Sequence, residues 1–233
     1  MSIVIVGAGR IGSSVLEMAT DVDIEIRVVE QDPSRVNELE SAENCEVISG
    51  DATDRETLLR ARVDDADAVI TTTEEDATNL MVLMVAREMG CDTLVSVVHQ
   101  EANLPLFSQL GATVIENPQR LIAEYLFRGV WNPTIQDFMH VGDPKSEAEV
   151  FELAVDESAP IVAKTLEQAD VEGLLPSSMI VVAVERDGEI IIPRGHTTVE
   201  AGDLVTVFSK EGVTDEVTEP FDPGTDGLTD ILD

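Results

Sequence analysis

The segment GAGRIG, residues 7–12, constrains the fold of this chain more than any other stretch. A β-branched run, residues 3–6, precedes it and a segment with helical apolar spacing follows, so the pattern predicts a strand, a tight turn and a helix. The first glycine permits the turn, the second lets a pyrophosphate approach the backbone, and the third lets helix and strand pack closely. Free N–H groups at the helix start would hold the phosphates. The segment predicts nucleotide binding, and glycines kept for packing alone are the alternative.

A carboxylate at the end of the next predicted strand limits the choice of nucleotide. Residues 24–30 form this strand and end at Glu30. This is near the spacing at which the G-x-G-x-x-G dinucleotide-binding fingerprint has an acid for the ribose hydroxyls. A carboxylate there pairs with a free 2′-hydroxyl and repels a 2′-phosphate. NAD or NADH, or alternatively ADP or ATP, therefore fits better than NADP. No G-x-x-x-x-G-K-[ST] sequence occurs, so P-loop ATP hydrolysis is not expected.

Residues 1–117 repeat strand and helix through six predicted strands. Such alternation predicts an α/β fold with a Rossmann-like, doubly wound parallel sheet. Two loops follow strands at the carboxyl edge, where open α/β sheets bind ligands: Asp51 and Ala52 after the third strand, Thr72 and Thr73 after the fourth. Asp51 equally suits the cap of the helix that follows it, and the threonines equally suit a polar turn.

An amphipathic helix opens at Pro118, after the predicted sheet is complete, and its apolar character extends to Phe138. Packing on its own domain and pairing with a second copy are both open for this helix. The polar, turn-rich residues 142–146 suggest a domain boundary. We therefore expect residues 118–145 to form a dimerisation helix and a linker.

A smaller α+β C-terminal domain is predicted over residues 146–210, where the pattern changes to alternating strands. Asp187-Gly188 lies between two apolar runs and predicts a two-residue hairpin turn. A short helix is expected over residues 160–169. Residues 211–233 are acidic and contain glycine and proline, so we expect a disordered tail.

The net charge of the chain limits the classes of partner that it can bind. It carries 47 acidic and 14 basic residues, a formal net charge of −33, which argues against nucleic acid and anionic membrane surfaces. With 43% hydrophobic residues, this acidity favours a halophilic protein adapted to molar salt over a disordered one. Two cysteines predict neither a disulfide framework nor a metal site. Without a signal segment or a long apolar run, we expect a soluble cytoplasmic protein with no direct membrane insertion.

Several short motifs together resemble the TrkA/KtrA family, regulatory proteins that gate potassium uptake channels and contain an N-terminal and a C-terminal RCK domain. The resemblance covers about residues 1–210. The motifs that carry it are GAGRIG, VEQDP at 29–33, GDAT at 50–53, SAPIVAKTL at 158–166, RDG at 186–188, IPRG at 192–195 and AGD at 201–203.

The resemblance implies a nucleotide site without catalytic or metal-binding residues. It further implies dimers that assemble into a ring docked on a membrane potassium channel. The channel would open or close on nucleotide exchange, because the competing nucleotides bind different shapes of the ring with different affinity. Val97 stands where many relatives have an arginine, so a phosphate-facing cation is missing there. The implied site consists of Gly7, Ala8, Gly9, Arg10, Ile11, Gly12, Glu30, Gln31, Asp51, Ala52, Thr72 and Thr73.

An NAD-dependent oxidoreductase with a small substrate domain is the alternative function. Beyond residue 146 only His196 is a plausible proton-transfer histidine, it lies near a turn, and the remaining chain is short for a catalytic domain. His99, at the end of the fifth predicted strand, fits a structural role better than a catalytic one. We therefore expect a protein that is not an enzyme, and a test of hydride transfer discriminates between the two functions.

Overall fold

The computed structural model describes residues 1–42, 45–131, 133–142 and 146–224. The chain divides into two compact units, Met1–Ile122 and Ala123–Asp233, called here the N-terminal unit and the C-terminal unit. None of the helices in the described ranges combines the length and the apolarity of a membrane-spanning segment.

A six-stranded parallel sheet forms the centre of the N-terminal unit, as predicted. Its strand order is β3-β2-β1-β4-β5-β6. The order reverses between β1 and β4, so a crevice opens at the carboxyl ends of these strands. The strands are β1 (Ser2–Val6), β2 (Glu25–Glu30), β3 (Glu46–Ser49), β4 (Ala68–Thr71), β5 (Thr93–Val98) and β6 (Thr113–Glu116).

Helices follow the strands and apolar clusters lie on both faces of this sheet. Val4 and Val6 of β1 pack into the cluster that contains Leu58 and Phe107, whereas Ile3 and Ile5 belong to the cluster on the opposite face. Burial on both faces explains the continuous apolar run of β1. The helices are α1 (Arg10–Thr20), α2 (Pro33–Ala42), α3 (Arg55–Arg60), α4 (Asp76–Glu88), α5 (Leu104–Gln109) and α6 (Pro118–Trp131).

An antiparallel five-stranded sheet forms the C-terminal unit, in the order β10-β9-β11-β8-β7. Asp187 and Gly188 have φ angles of 53° and 79°, so they form the tight hairpin turn that the sequence predicts. The strands are β7 (Ile135–His140), β8 (Glu149–Ala154), β9 (Met179–Arg186), β10 (Glu189–Ile191) and β11 (Leu204–Ser209), and the helices are α7 (Leu166–Val171) and α8 (Asp215–Thr218).

The structure corrects the expectation that residues 118–145 form only a dimerisation helix and a linker. Helix α6 ends at Trp131, and β7 pairs antiparallel with β8, with Phe138 opposite Phe151. Phe138 is 6% exposed because its ring belongs to the core of the C-terminal unit. Residues 143–145 of the predicted boundary lie outside the described residues.

The structure also corrects the helix expected over residues 160–169. Ala163 has a φ of 62°, which is incompatible with a helix at that position. Helix α7 begins only at Leu166, after a capping box in which Thr165 and Gln168 exchange side-chain to backbone hydrogen bonds.

The expectation of a disordered tail from residue 211 is wrong for residues 211–224. Helix α8 lies in this segment, and Val217 and Phe221 are 1% and 0% exposed in the core of the C-terminal unit. Two apolar side chains therefore fold a segment whose composition is acidic. Residues 225–233 lie outside the described residues.

Candidate nucleotide-binding site

A cavity of about 470 Å³ lies at the carboxyl ends of β1 to β4, at the crevice where the strand order reverses. This volume is within the range of small-molecule sites. Its lining residues are Val6, Gly7, Gly9, Val29, Glu30, Gln31, Asp32, Arg35, Gly50, Asp51, Ala52, Thr53, Thr72, Thr73, Glu74, Glu75 and Thr78.

The three glycines of the fingerprint have different structural requirements. Gly7 has a φ of 89°, which suits glycine. A Cβ on Gly12 would lie 1.9 Å from the carbonyl oxygen of Gly7, so any side chain there would push α1 away from β1. Gly9 has an ordinary φ of −69°, and the nearest atom to its Cβ position is Nη1 of Arg35 at 3.5 Å. The packing of the chain therefore explains Gly7 and Gly12 but does not require a glycine at residue 9.

Glu30 is 5% exposed at the end of β2, and its carboxylate organises the backbone around the cavity. Its Oε2 accepts a hydrogen bond from the N–H of Ala8 at 2.7 Å. Its Oε1 accepts from the N–H groups of Gln31 and Asp32, both at 2.8 Å. The predicted ribose carboxylate thus also fixes the turn after β1 and the loop after β2.

Asp51 lines the cavity, but it does not cap the helix that follows. Its Oδ1 accepts hydrogen bonds from the N–H and the hydroxyl of Thr53, at 2.8 and 2.7 Å, and these bonds lower the pKa of the Asp51 carboxyl. The cap of α3 is Asp54, which accepts from the N–H of Glu56. The possibility that Asp51 is the cap is therefore wrong, because the turn places Asp54 at that position.

Thr72 and Thr73 lie across the crevice from the glycines. The Thr72 hydroxyl donates to the carbonyl oxygen of Gly7 at 2.8 Å, which ties β4 to the turn after β1. The hydroxyl and the N–H of Thr73 both donate to Oδ1 of Asn79, at 2.7 and 3.1 Å. Asn79 was not predicted as a site residue, although an amide inside the apolar stripe of α4 is the signal that could have identified it.

His99 has a structural environment. One ring nitrogen lies 3.0 Å from the carbonyl oxygen of Thr73. Asp76, which is 7% exposed, accepts hydrogen bonds from the N–H groups of His99 and Gln100 and from the side-chain amide of Asn103. Burial raises the pKa of the Asp76 carboxyl, but these hydrogen bonds outweigh burial and the pKa lies below its ordinary value.

Eight of the twelve predicted site residues line the cavity, and four do not. Ala8 contributes its N–H to Glu30, Arg10 is exposed at the start of α1, and Ile11 and Gly12 lie within that helix. The eight that line it are Gly7, Gly9, Glu30, Gln31, Asp51, Ala52, Thr72 and Thr73. The residues that sequence reasoning missed at the cavity include Asp32, Arg35, Thr53, Glu74, Glu75 and Thr78.

A second charged cluster lies in the C-terminal unit. Ligand atoms of Glu124, His140 and Glu149 lie within 4.8 Å of one another. The guanidinium of Arg128 donates to both oxygens of Glu149, at 2.9 and 2.5 Å, and to Glu124 at 3.2 Å, and the Glu149 pairing raises the pKa of Arg128. Because Arg128 pairs with both carboxylates and His140 also contacts them, we interpret the cluster as an ion-pair network.

The fold and the cavity together define a Rossmann-type domain of the class that binds nucleotides, followed by a small antiparallel β domain. Two family models match these two parts. Residues 3–118 match the TrkA-N domain and residues 150–222 match the TrkA-C domain. The chain therefore belongs to the TrkA family.

Curated relatives carry the same family name. The Trk system potassium uptake protein TrkA homolog 1 of Methanosarcina mazei is 28% identical, over 94% of this chain and 48% of that protein. The Trk system potassium uptake protein TrkA homolog of Pyrococcus abyssi is 26% identical, over 93% of this chain and 96% of that protein. The chain thus spans about half of the first relative and nearly all of the second.

Solved structures share the fold at low sequence identity. The crystal structure of the GsuK RCK domain has a TM-score of 0.65 and 20% identity, over 98% of this chain and 48% of that one. The GsuK channel bound to NAD has a TM-score of 0.63 and 21% identity, over 94% of this chain and 38% of that one. The expected resemblance to RCK domains is confirmed.

Proposed function

We propose that this chain is a nucleotide-sensing regulatory subunit of a potassium uptake transporter, acting at the cytoplasmic face of the membrane through contact with that transporter. NAD or NADH binds in the cavity at the carboxyl ends of β1 to β4, and ADP or ATP is the alternative ligand. The names of the curated relatives support the link to potassium uptake, and the NAD bound to the GsuK channel supports the class of ligand.

The absent side chain of Gly9 is the observation that carries the nucleotide proposal. Gly9 is the N-cap of α1 and lines the cavity, yet neither its φ angle nor its packing needs a glycine. A phosphate group that approaches the helix N-terminus does need that space. The alternative explanation, glycines kept for packing, accounts for Gly12 but leaves Gly9 unexplained.

The lining residues support one orientation of the ligand. We propose that the ribose hydroxyls contact Glu30 and that the adenine binds beside Asp51 and Ala52, which line the same cavity in the loop after β3. The phosphates would contact the start of α1, and the rest of the ligand would extend towards Thr72 and Thr73. Glu30 disfavours a 2′-phosphate, which supports NAD over NADP.

We propose regulation without catalysis. Among the described residues that line the cavity there is no histidine, cysteine or lysine for proton or group transfer. Nucleotide exchange would act by binding two shapes of the assembled regulator with different affinities. Reduction of NAD by the purified protein with any member of a panel of alcohols and hydroxy acids would contradict this part of the proposal.

Assembly through α6 completes the proposed regulator. The helix exposes seven apolar side chains, between 42% and 71% of each, so a second copy packed against it would bury a continuous apolar surface. We propose dimers through this helix, which then form a ring on the transporter. The exposed residues are Leu121, Ile122, Tyr125, Leu126, Phe127, Val130 and Trp131.

The decisive experiment is calorimetric titration of NAD into the wild type and into Gly9→Ala. We expect the added methyl group to lower NAD affinity at least about tenfold, because it occupies the phosphate approach. The free energy of unfolding should change by less than about 1 kcal/mol, since among the described residues the nearest atom to the new Cβ, apart from the two adjoining residues, is Nη1 of Arg35 at 3.5 Å.

Gly195→Ala is the matched control. Its Cβ position lies 3.5 Å from the nearest atom outside the adjoining residues, the Cβ of Glu167, which matches the distance at Gly9. Gly195 belongs to the C-terminal unit and does not line the cavity. This variant should bind NAD like the wild type. Unchanged NAD affinity in Gly9→Ala, or no binding of NAD, NADH, ADP or ATP by the wild type, would overturn the proposal.

A further inference from the structure

Arg35 of α2 extends its guanidinium towards the start of α1. Its Nη1 lies 3.5 Å from the Cβ position of Gly9 and 3.9 Å from Oε2 of Glu30. The side chain is 45% exposed and lines the cavity. Arg35 therefore adds a positive charge at the place where the helix N-terminus already favours anions.

The contact between Arg35 and Glu30 leaves the guanidinium available to a ligand. Both oxygens of Glu30 already accept backbone N–H groups, from Ala8, Gln31 and Asp32, at 2.7 to 2.8 Å. The 3.9 Å separation of Arg35 and Glu30 is too long for a hydrogen bond. An arginine in this state retains the paired N–H donors that fit phosphate oxygens.

The remaining charged residues that line the cavity are acids. Within the described part of the chain, Arg35 is the only base among its lining residues. Five carboxylates line the same cavity, those of Glu30, Asp32, Asp51, Glu74 and Glu75. The cavity can therefore compensate few phosphate charges, because each further anion meets carboxylates instead of a cation.

The strand order separates these acids into two groups. Glu30, Asp32 and Asp51 lie at or after the ends of β2 and β3, on one side of β1. Glu74 and Glu75 follow β4, on the other side. A nucleotide with its adenosine over β2 and β3 and its diphosphate at α1 directs its remaining part towards Glu74 and Glu75. Both are exposed at the surface of the cavity, so they act by charge rather than by tight contact.

We propose that Arg35 binds the diphosphate of the nucleotide, and that Glu74 and Glu75 disfavour a third phosphate. The cavity is then selective for a diphosphate-linked nucleotide, such as NAD or ADP, over ATP. This inference rests on the proposed function, since it takes the cavity as the nucleotide site.

Calorimetric titrations without divalent cations test the inference, with adenosine, ADP, ATP, NAD and NADP as ligands. In Arg35→Gln we expect the affinities for ADP and NAD to fall about tenfold, whereas adenosine binding stays unchanged. Arg87→Gln is the matched control, because Arg87 is 46% exposed, pairs with Asp92 at 3.2 Å and does not line the cavity.

One double variant tests the selectivity against ATP. The wild type should bind ATP several-fold more weakly than ADP, and the double variant Glu74→Gln with Glu75→Gln should remove most of this difference. Its binding of ADP should change less than its binding of ATP, because the third phosphate extends furthest towards these residues.

Three results would overturn the inference, and the first and third of them leave the proposed function intact. Equal loss of adenosine and ADP binding in Arg35→Gln would mean that Arg35 acts only by holding Glu30. Preference for NADP over NAD that disappears in Arg35→Gln would assign Arg35 to a 2′-phosphate. Equal affinity of the wild type for ADP and ATP would contradict the selectivity. No binding of any nucleotide by the wild type would instead contradict the proposed function itself.

Discussion

The two units cover their sheets in different ways. In the N-terminal unit, apolar clusters lie on both faces of the parallel sheet, because the connecting helices supply the cover. In the C-terminal unit, Val184 and Val205 face a buried core, whereas Ile180, Val182 and Ile190 of the same sheet are 49% to 74% exposed. Helices of the same chain therefore cover both faces of the parallel sheet, whereas the antiparallel sheet leaves apolar side chains exposed on one surface. Substitutions in the two units test this difference.

The largest effect is expected for Phe221→Ala in the C-terminal unit. Phe221 is fully buried, and its loss should lower the free energy of unfolding by about 3–5 kcal/mol, measured by denaturant titration. The exposed Glu216 of the same segment is the control, and Glu216→Ala should change stability by less than about 0.5 kcal/mol. Similar small effects of both substitutions would mean that the core of this unit does not include the segment after residue 210.

In the N-terminal unit, Asp76→Asn should lower the free energy of unfolding by about 2 kcal/mol at neutral pH. The carboxylate accepts three hydrogen bonds, and an amide can accept only part of them. Because hydrogen bonding lowers the folded-state pKa of Asp76 below its ordinary 3.8, its stabilisation is present above that value.

The pH dependence of stability in the wild type and in Asp76→Asn tests whether Asp76 is ionised in the folded protein. The difference in unfolding free energy between wild type and Asp76→Asn should stay constant above about pH 5 and shrink as the pH falls below 3.8, because protonation removes the carboxylate. A difference that grows on acidification would contradict the assignment of Asp76 as a charged acceptor.

The smallest changes in stability are expected for substitutions of two valines of β9 that differ in exposure. Val184 is fully buried, and Val184→Thr places a hydroxyl in the core at a cost of about 1–3 kcal/mol. Val182 is 49% exposed, and Val182→Thr should change stability by less than about 0.5 kcal/mol. Equal destabilisation of both variants, measured by thermal unfolding, would show that the surface of Val182 is covered in solution.

The parts of the fold that depend on local patterns were predictable. Each strand of the parallel sheet has its own apolar run and is followed by its own helix, so periodicity alone gave the order of elements. The glycine fingerprint and Glu30 located the cavity for the same reason, because the turn and the two strands are close in sequence.

The parts that depend on distant pairing were not predictable. The sequence of β7 shows little of the alternation typical of a strand, and β7 forms because it pairs with β8. Phe221 lies in an acidic segment with few apolar residues, and only the distant core shows why it is buried. Arg35 of α2 lines the cavity beside Glu30, and no periodicity in the sequence indicates this position.

The three backbone hydrogen bonds of Glu30 have an evolutionary consequence. Replacing this residue to admit a phosphorylated ribose would also remove the acceptor for Ala8, Gln31 and Asp32. If the cavity binds a nucleotide as proposed, one substitution at Glu30 could therefore not change the sugar preference without loosening the turn and the loop beside it. A switch of cofactor would need a second, compensating change in the same loops.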